Sequence, residues 1–80
     1  MSDTNTYSRR ATDLKLGESG VIDQFESEAF SAKFLEIGCL PNSPIKLVRK
    51  GPANRTMYMR INGTAYALRY NEANQIILKY

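Results

Sequence analysis

Arginines and tyrosines carry the only concentrated chemistry in this sequence. Tyr58, Tyr66, Tyr70 and Tyr80 interleave with Arg60, Arg69 and Lys79. Cations set among aromatic rings make charge-assisted hydrogen bonds and stacking contacts, which is the chemistry of binding. Reactive groups are scarce. Histidine is absent and cysteine occurs once, at Cys39, so the imidazoles and clustered thiolates that normally build iron or zinc sites are missing. No Ser, Cys or Lys lies in a recognisable nucleophile motif, and the usual general base is gone with histidine. Gly17-Glu18-Ser19-Gly20 is a turn with two glycines and lacks the Gly-Lys-Ser/Thr ending of a phosphate-cradling loop. The reading is therefore a docking module without catalytic residues, metal or cofactor, and not an enzyme.

The elements that position these side chains are short. Eighty residues make one domain, which buries only about 60% of its unfolded surface. Residues 1 to 12 are polar and are expected to form a flexible tail, leaving 13 to 80 as the folded unit. No apolar run approaches the ~20 residues of a membrane span, and no apolar stretch follows the N-terminal charges, so a cytoplasmic location is expected. Cys39, next to Leu40 just after a predicted helix, reads as a buried small apolar residue. Charge divides the chain more sharply than the net +3 suggests. Residues 1 to 43 hold four basic against seven acidic side chains, a net of −3, and residues 44 to 80 hold seven basic against Glu72 alone, a net of +6. The C-terminal half is expected to present a basic surface.

Local signals then give an order of elements. After the Gly17 to Gly20 turn, Val21 to Phe25 reads as a strand, with Val21, Asp23 and Phe25 alternating with Ile22 and Gln24. A helix is predicted over Glu28 to Ile37, with Ser27 as N-cap and Phe30, Phe34 and Ile37 on one stripe. Gly38 suits the left-handed position that ends a helix, and Pro41-Asn42 suits a type II turn. A second strand over Ile45 to Lys50 closes at Gly51-Pro52-Ala53-Asn54. Asn62-Gly63 between two alternating runs is the favoured type I′ hairpin signal. It sets Ile61 opposite Thr64, and so on to Met57 opposite Leu68, which gathers Met57, Met59, Ile61, Tyr66 and Leu68 on the core face. Asn71 to Asn74 reads as one helical turn capped by Asn71, followed by a last strand from Gln75 to Tyr80. The fold class expected is mainly β with one α-helix, and five short strands with so many edges favour closure into a small barrel.

Two blocks, Lys33-Phe34-Leu35-Glu36-Ile37-Gly38-Cys39-Leu40-Pro41-Asn42 and Gly63-Thr64-Ala65-Tyr66-Ala67-Leu68-Arg69, occur in this order about 25 residues apart, and Glu72-Ala73 and Ile76 follow. With these motifs the stretch from Leu14 to Leu78 resembles the FeoA family, small SH3-like proteins that accompany the bacterial ferrous iron transporter FeoB. Asn42 stands where the family usually has glycine and keeps the tolerance for a left-handed backbone. The Pro52 to Thr56 loop keeps only the first proline of the family pattern. The resemblance implies a small SH3-like five-stranded β-barrel and a cytosolic accessory that binds or regulates FeoB at its cytoplasmic GTPase region without binding iron.

A partner surface is expected on the outer side of the hairpin. Ala65 and Ala67 are small enough for another backbone to approach, and Tyr58, Arg60 and Arg69 supply an aromatic anchor and charged donors. The helix around Lys33 and Glu36 is the alternative surface. A nucleic-acid-binding barrel is the alternative function, carried by the same tyrosines and cations.

Overall fold

The computed structural model describes residues 9–79. Five strands lie in one antiparallel sheet in the order β4-β3-β2-β1-β5: β1 Ser19–Phe25, β2 Pro44–Lys50, β3 Thr56–Ile61, β4 Thr64–Arg69 and β5 Ile76–Leu78. One main helix, α1 (Glu28–Glu36), connects β1 to β2, and a single turn, α2 (Tyr70–Ala73), connects β4 to β5. The mainly-β class with one main helix is as expected. Closure is not: β4 and β5 end the sheet on opposite sides and are not hydrogen-bonded to one another. The physical reason lies in α1. It adds Phe34, 1% exposed, to the core, so apolar residues such as Leu47, Met59, Ile61 and Ile76 are buried without the two edges having to meet.

The helix ends follow their local chemistry. Ser27 has an extended backbone and its Oγ accepts the Phe30 N–H at 3.3 Å, satisfying one of the donors left free at a helix start. Gly38 has φ +86°. The Gly38 N–H donates to Leu35 C=O at 3.1 Å and the Cys39 N–H to Phe34 C=O at 2.8 Å. That pair is the Schellman arrangement, and it carries Cys39 back onto Phe34. Cys39 is fully buried, and burial pushes its thiol up to about 11, so it stays protonated and serves as packing. Of the expected stripe, Phe34 is buried against Phe25 (ring centroids 5.0 Å) and Phe30 (6.2 Å), whereas Ile37 is 41% exposed because the helix has already unwound there.

The hairpin register matches residue for residue: Ile61 faces Thr64, Met59 faces Tyr66 and Met57 faces Leu68. Asn62 (φ +51°) and Gly63 (φ +85°) make the turn. Met57, Met59, Ile61 and Leu68 are buried, and Tyr66 packs partly against them.

Strict alternation fails at two bulges. Ile22 pairs with Leu78 but Gln24 with Ile77 and Phe25 with Ile76, so the ladder skips Asp23. Ile22 and Phe25 thereby both pack into the core, although alternation had put them on opposite faces. In β2, Leu47 faces Met59 while Arg49 faces Tyr58, so Val48 is the extra residue.

The domain also begins earlier than expected. Arg10 bridges Ile77, Arg9 C=O accepts the Leu78 N–H at 2.8 Å, and Ala11 is fully buried in a 3-10 turn, Ala11–Asp13. Thus residues 9 to 12 of the tail expected over 1 to 12 are folded against the domain, and its remainder, 1 to 8, lies outside the described residues. The helical turn begins one residue earlier as well, at Tyr70, and Arg69 rather than Asn71 occupies the capping position.

Candidate functional site

The outer face of the β2-β3-β4 meander is built by alternation and one bulge. Residues opposite each other on β3 and β4 share a face, so Tyr58 lies beside Ala67 and Arg60 beside Ala65, pointing away from the core. On β2 the bulge places Val48 and Arg49 in succession on that outer side, and without it Arg49 would turn towards the core. Val48, Tyr58, Arg60, Ala65 and Ala67 line an open groove of about 280 Å³, bordered by Met59 and Tyr66. The Arg49 guanidinium sits 4.4 Å from the Tyr58 ring centre, a cation–π contact that fixes both side chains. A second depression of about 410 Å³ continues from the first across Val48 and Arg60 to Leu16 and Lys46.

Among the described residues, the cations around this groove have no ion-pair partner. Lys46 lies directly opposite Arg60 across β2 and β3, and like charges so placed repel. The ion pairs of the described residues are Arg9–Glu18, Arg10–Glu26 and Lys33–Glu72. Lys46, Arg49, Arg60 and Arg69 take part in none of them. An apolar floor rimmed by cations that have no ion pair among the described residues is chemically complementary to carboxylates set in apolar surface.

Four of the five hairpin residues expected to bind, Tyr58, Arg60, Ala65 and Ala67, do converge on the groove. Arg69 stands at the end of β4, where its N–H donates to Glu72 Oε1 at 2.9 Å. Lys33 donates to the other oxygen of Glu72. It is therefore tied to the end of β4 through that carboxylate, while Glu36 is exposed at the end of α1. Tyr66 closes the same link from the strand side, its hydroxyl donating to Ile37 C=O at 2.6 Å. Sequence reasoning missed Val48, Arg49, Lys46 and Leu16. Only the adjacent Leu47-Val48 pair hinted at a break in alternation. Of the tyrosines considered as stacking platforms, Tyr58 is covered by Arg49, Tyr66 is bonded to α1, Tyr70 is 47% exposed, and Tyr80 lies outside the described residues.

The Lys33 ammonium, and then the Arg69 N–H, hold the Glu72 carboxyl below its ordinary value of 4.5. A carboxyl whose folded value is depressed adds stability above its ordinary range and loses it as the pH falls through the folded value. Glu72→Gln is thus expected to lower the melting temperature at neutral pH, with the gap to the parent protein closing as the pH is taken below 4.5. Thermal unfolding across that range checks it, and a gap that widens on acidification would contradict the assignment.

Among the described residues no group of three or more His, Cys, Asp or Glu side chains is placed to hold a metal ion. Nor is any helix long and apolar enough to cross a membrane. Fold and surface together define a small antiparallel β domain with one main helix and an open apolar groove bordered by cations. The FeoA domain family matches residues 10–80, and the chain belongs to that family.

Solved structures share the fold. A FeoA-like protein from Clostridium acetobutylicum superposes with a TM-score of 0.82 at 18% identity, over 90% of this chain and 85% of that one. FeoA from Stenotrophomonas maltophilia, in complex with zinc, gives 0.77 at 22% identity over 90% and 91%. That protein is described as an SH3 domain protein proposed as a bacterial ferrous iron transport activating factor. A manganese-dependent transcriptional repressor gives 0.79 at 15% identity over 90% of this chain but only 41% of its own. No curated protein matches the chain significantly.

Proposed function

We propose that this chain is a non-enzymatic cytoplasmic accessory that docks on the cytoplasmic region of a FeoB-type transporter and supports ferrous iron uptake. Family membership and the activating role proposed for the Stenotrophomonas maltophilia protein support the connection to iron transport. The observation that carries the docking face is the groove floored by Val48, Tyr58, Ala65 and Ala67 and rimmed by Lys46, Arg49 and Arg60, which have no ion pair among the described residues. Partner binding here means matching those cations with carboxylates while covering the apolar floor. The expected result of Arg60→Glu with Arg69→Glu is a loss of at least about tenfold in capture of the transporter's cytoplasmic region, because Arg60 on the rim and Arg69 beyond it at the end of β4 would each repel an acidic partner instead of attracting it. Circular dichroism should be unchanged, since both side chains are exposed. Undiminished capture by the folded double mutant would move the site to α1 around Lys33 and Glu36, and a parent protein that captures nothing would remove the transporter as partner.

A further inference from the structure

The two edges of the sheet are treated differently. Along β5, Arg10 pairs with Ile77 and the Arg9 C=O accepts the Leu78 N–H, so that edge is partly covered. β4 has no such cover among the described residues. In a two-residue hairpin the residues flanking the turn exchange backbone hydrogen bonds, and bonded pairs then alternate with unbonded ones. Ile61–Thr64, Met59–Tyr66 and Met57–Leu68 are therefore the bonded pairs. Ala65 and Ala67 turn their N–H and C=O groups outward, away from β3. Beyond them the edge is closed off at both ends: Gly63 C=O accepts from Arg60 at 3.3 Å, and the Arg69 N–H is taken by Glu72. What remains is a short template of two donors and two acceptors, at the two positions of β4 with the smallest side chains.

We infer that the edge of β4 takes up an extended acidic segment of the partner as a sixth strand. The inference rests on the docking face proposed above and specifies how that face is used. An added strand would place alternate side chains on the outer side, next to Ala65 and Ala67, where small methyl groups leave room to reach Arg60 and the groove floor. Carboxylates there meet cations that have no ion pair among the described residues. The other side chains would fall on the side of Tyr66, whose hydroxyl leads to the exposed Ile37, and apolar residues suit that side. The occupant is thus an extended segment alternating acidic and apolar residues, with backbone hydrogen bonds supplying affinity and the arginines selecting charge. A second copy of β4 is a poor occupant, because it would bring a second basic rim against the first.

The test uses the full chain with two synthetic peptides, acetyl-Glu-Val-Glu-Val-Glu-Val-Glu-amide and the same peptide N-methylated at alternate residues so that one edge cannot pair. The expected result is saturable binding of the first peptide, with the Ala65 and Ala67 amide protons shifted and slowed in exchange. The N-methylated peptide should bind at least about tenfold more weakly. Ala67→Pro should weaken the first peptide similarly while keeping the melting transition, since proline is tolerated where an edge N–H faces outward. If that variant fails to fold, the N-methylated peptide still decides. Equal binding of both peptides, no binding at about 1 mM, or displacement of the peptide by a short oligothymidylate would overturn strand addition. Transporter capture separates the two levels. Capture lost with Arg60→Glu and Arg69→Glu but retained with Ala67→Pro leaves the docking face standing and removes the sixth strand, whereas capture untouched by either removes the face itself.

Discussion

Phe34→Ala is expected to destabilise the domain by about 3 to 5 kcal/mol. Phe34 is the largest of the fully buried side chains and stacks on Phe25, with Phe30 on the same helix face. It is also the residue whose carbonyl receives the Cys39 N–H as the helix ends. Truncation would therefore open a cavity between α1 and β1 and loosen the ring stack at once. A domain of this size has a total stability of only about 4 to 12 kcal/mol, so a large share would be lost. Urea unfolding followed by circular dichroism measures it as a lower midpoint at unchanged slope. A loss under about 1 kcal/mol would mean that the helix does not dock through this ring.

Leu68→Ala tests the hairpin. Leu68 is 5% exposed and faces Met57, itself 1% exposed, across β3 and β4. Removing three carbons from the inner face is expected to cost about 2 to 5 kcal/mol, nearer the lower figure if Met57, with its flexible thioether chain, fills part of the space. Thermal unfolding gives the answer directly. An unchanged melting temperature would mean that Leu68 points outward, which would invert the whole hairpin and with it the docking face.

Most of this architecture was legible wherever one short stretch decides its own conformation. Asn62-Gly63 fixed a register because both residues accept the backbone that the turn demands, and Ser27 and Gly38 ended a helix for equally local reasons. The bulges at Asp23 and Val48 were not legible, because an extra residue is selected by the strand opposite and not by its own neighbours. The bulge at Val48 brings Val48 and Arg49 to the outer side, so the candidate site spans three strands where the hairpin pattern alone points to two. The open sheet escaped for a related reason. Whether edges must close depends on what else covers the core, and the depth to which Phe34 and Cys39 enter it is a tertiary outcome. Likewise the polar composition of residues 9 to 12 concealed that Ala11 is fully buried and Arg10 pairs with β5.

The order of strands has a kinetic consequence. β2, β3 and β4 are joined by short connections, so their ladders can form quickly and at little cost in chain entropy. The pairing of Ile22 with Leu78 must instead bring together opposite ends of the domain, which makes it a late event in folding and an early one in local opening. When β5 detaches, it uncovers the long edge of β1, a surface able to recruit another chain indiscriminately. The ladder that carries Ala65 and Ala67 pairs with β3 and shares no strand pairing with β5. The proposed docking face and the edge that guards against misassembly therefore lie at opposite ends of one sheet, and a substitution that weakens β5 is expected to promote aggregation before it impairs the proposed recognition.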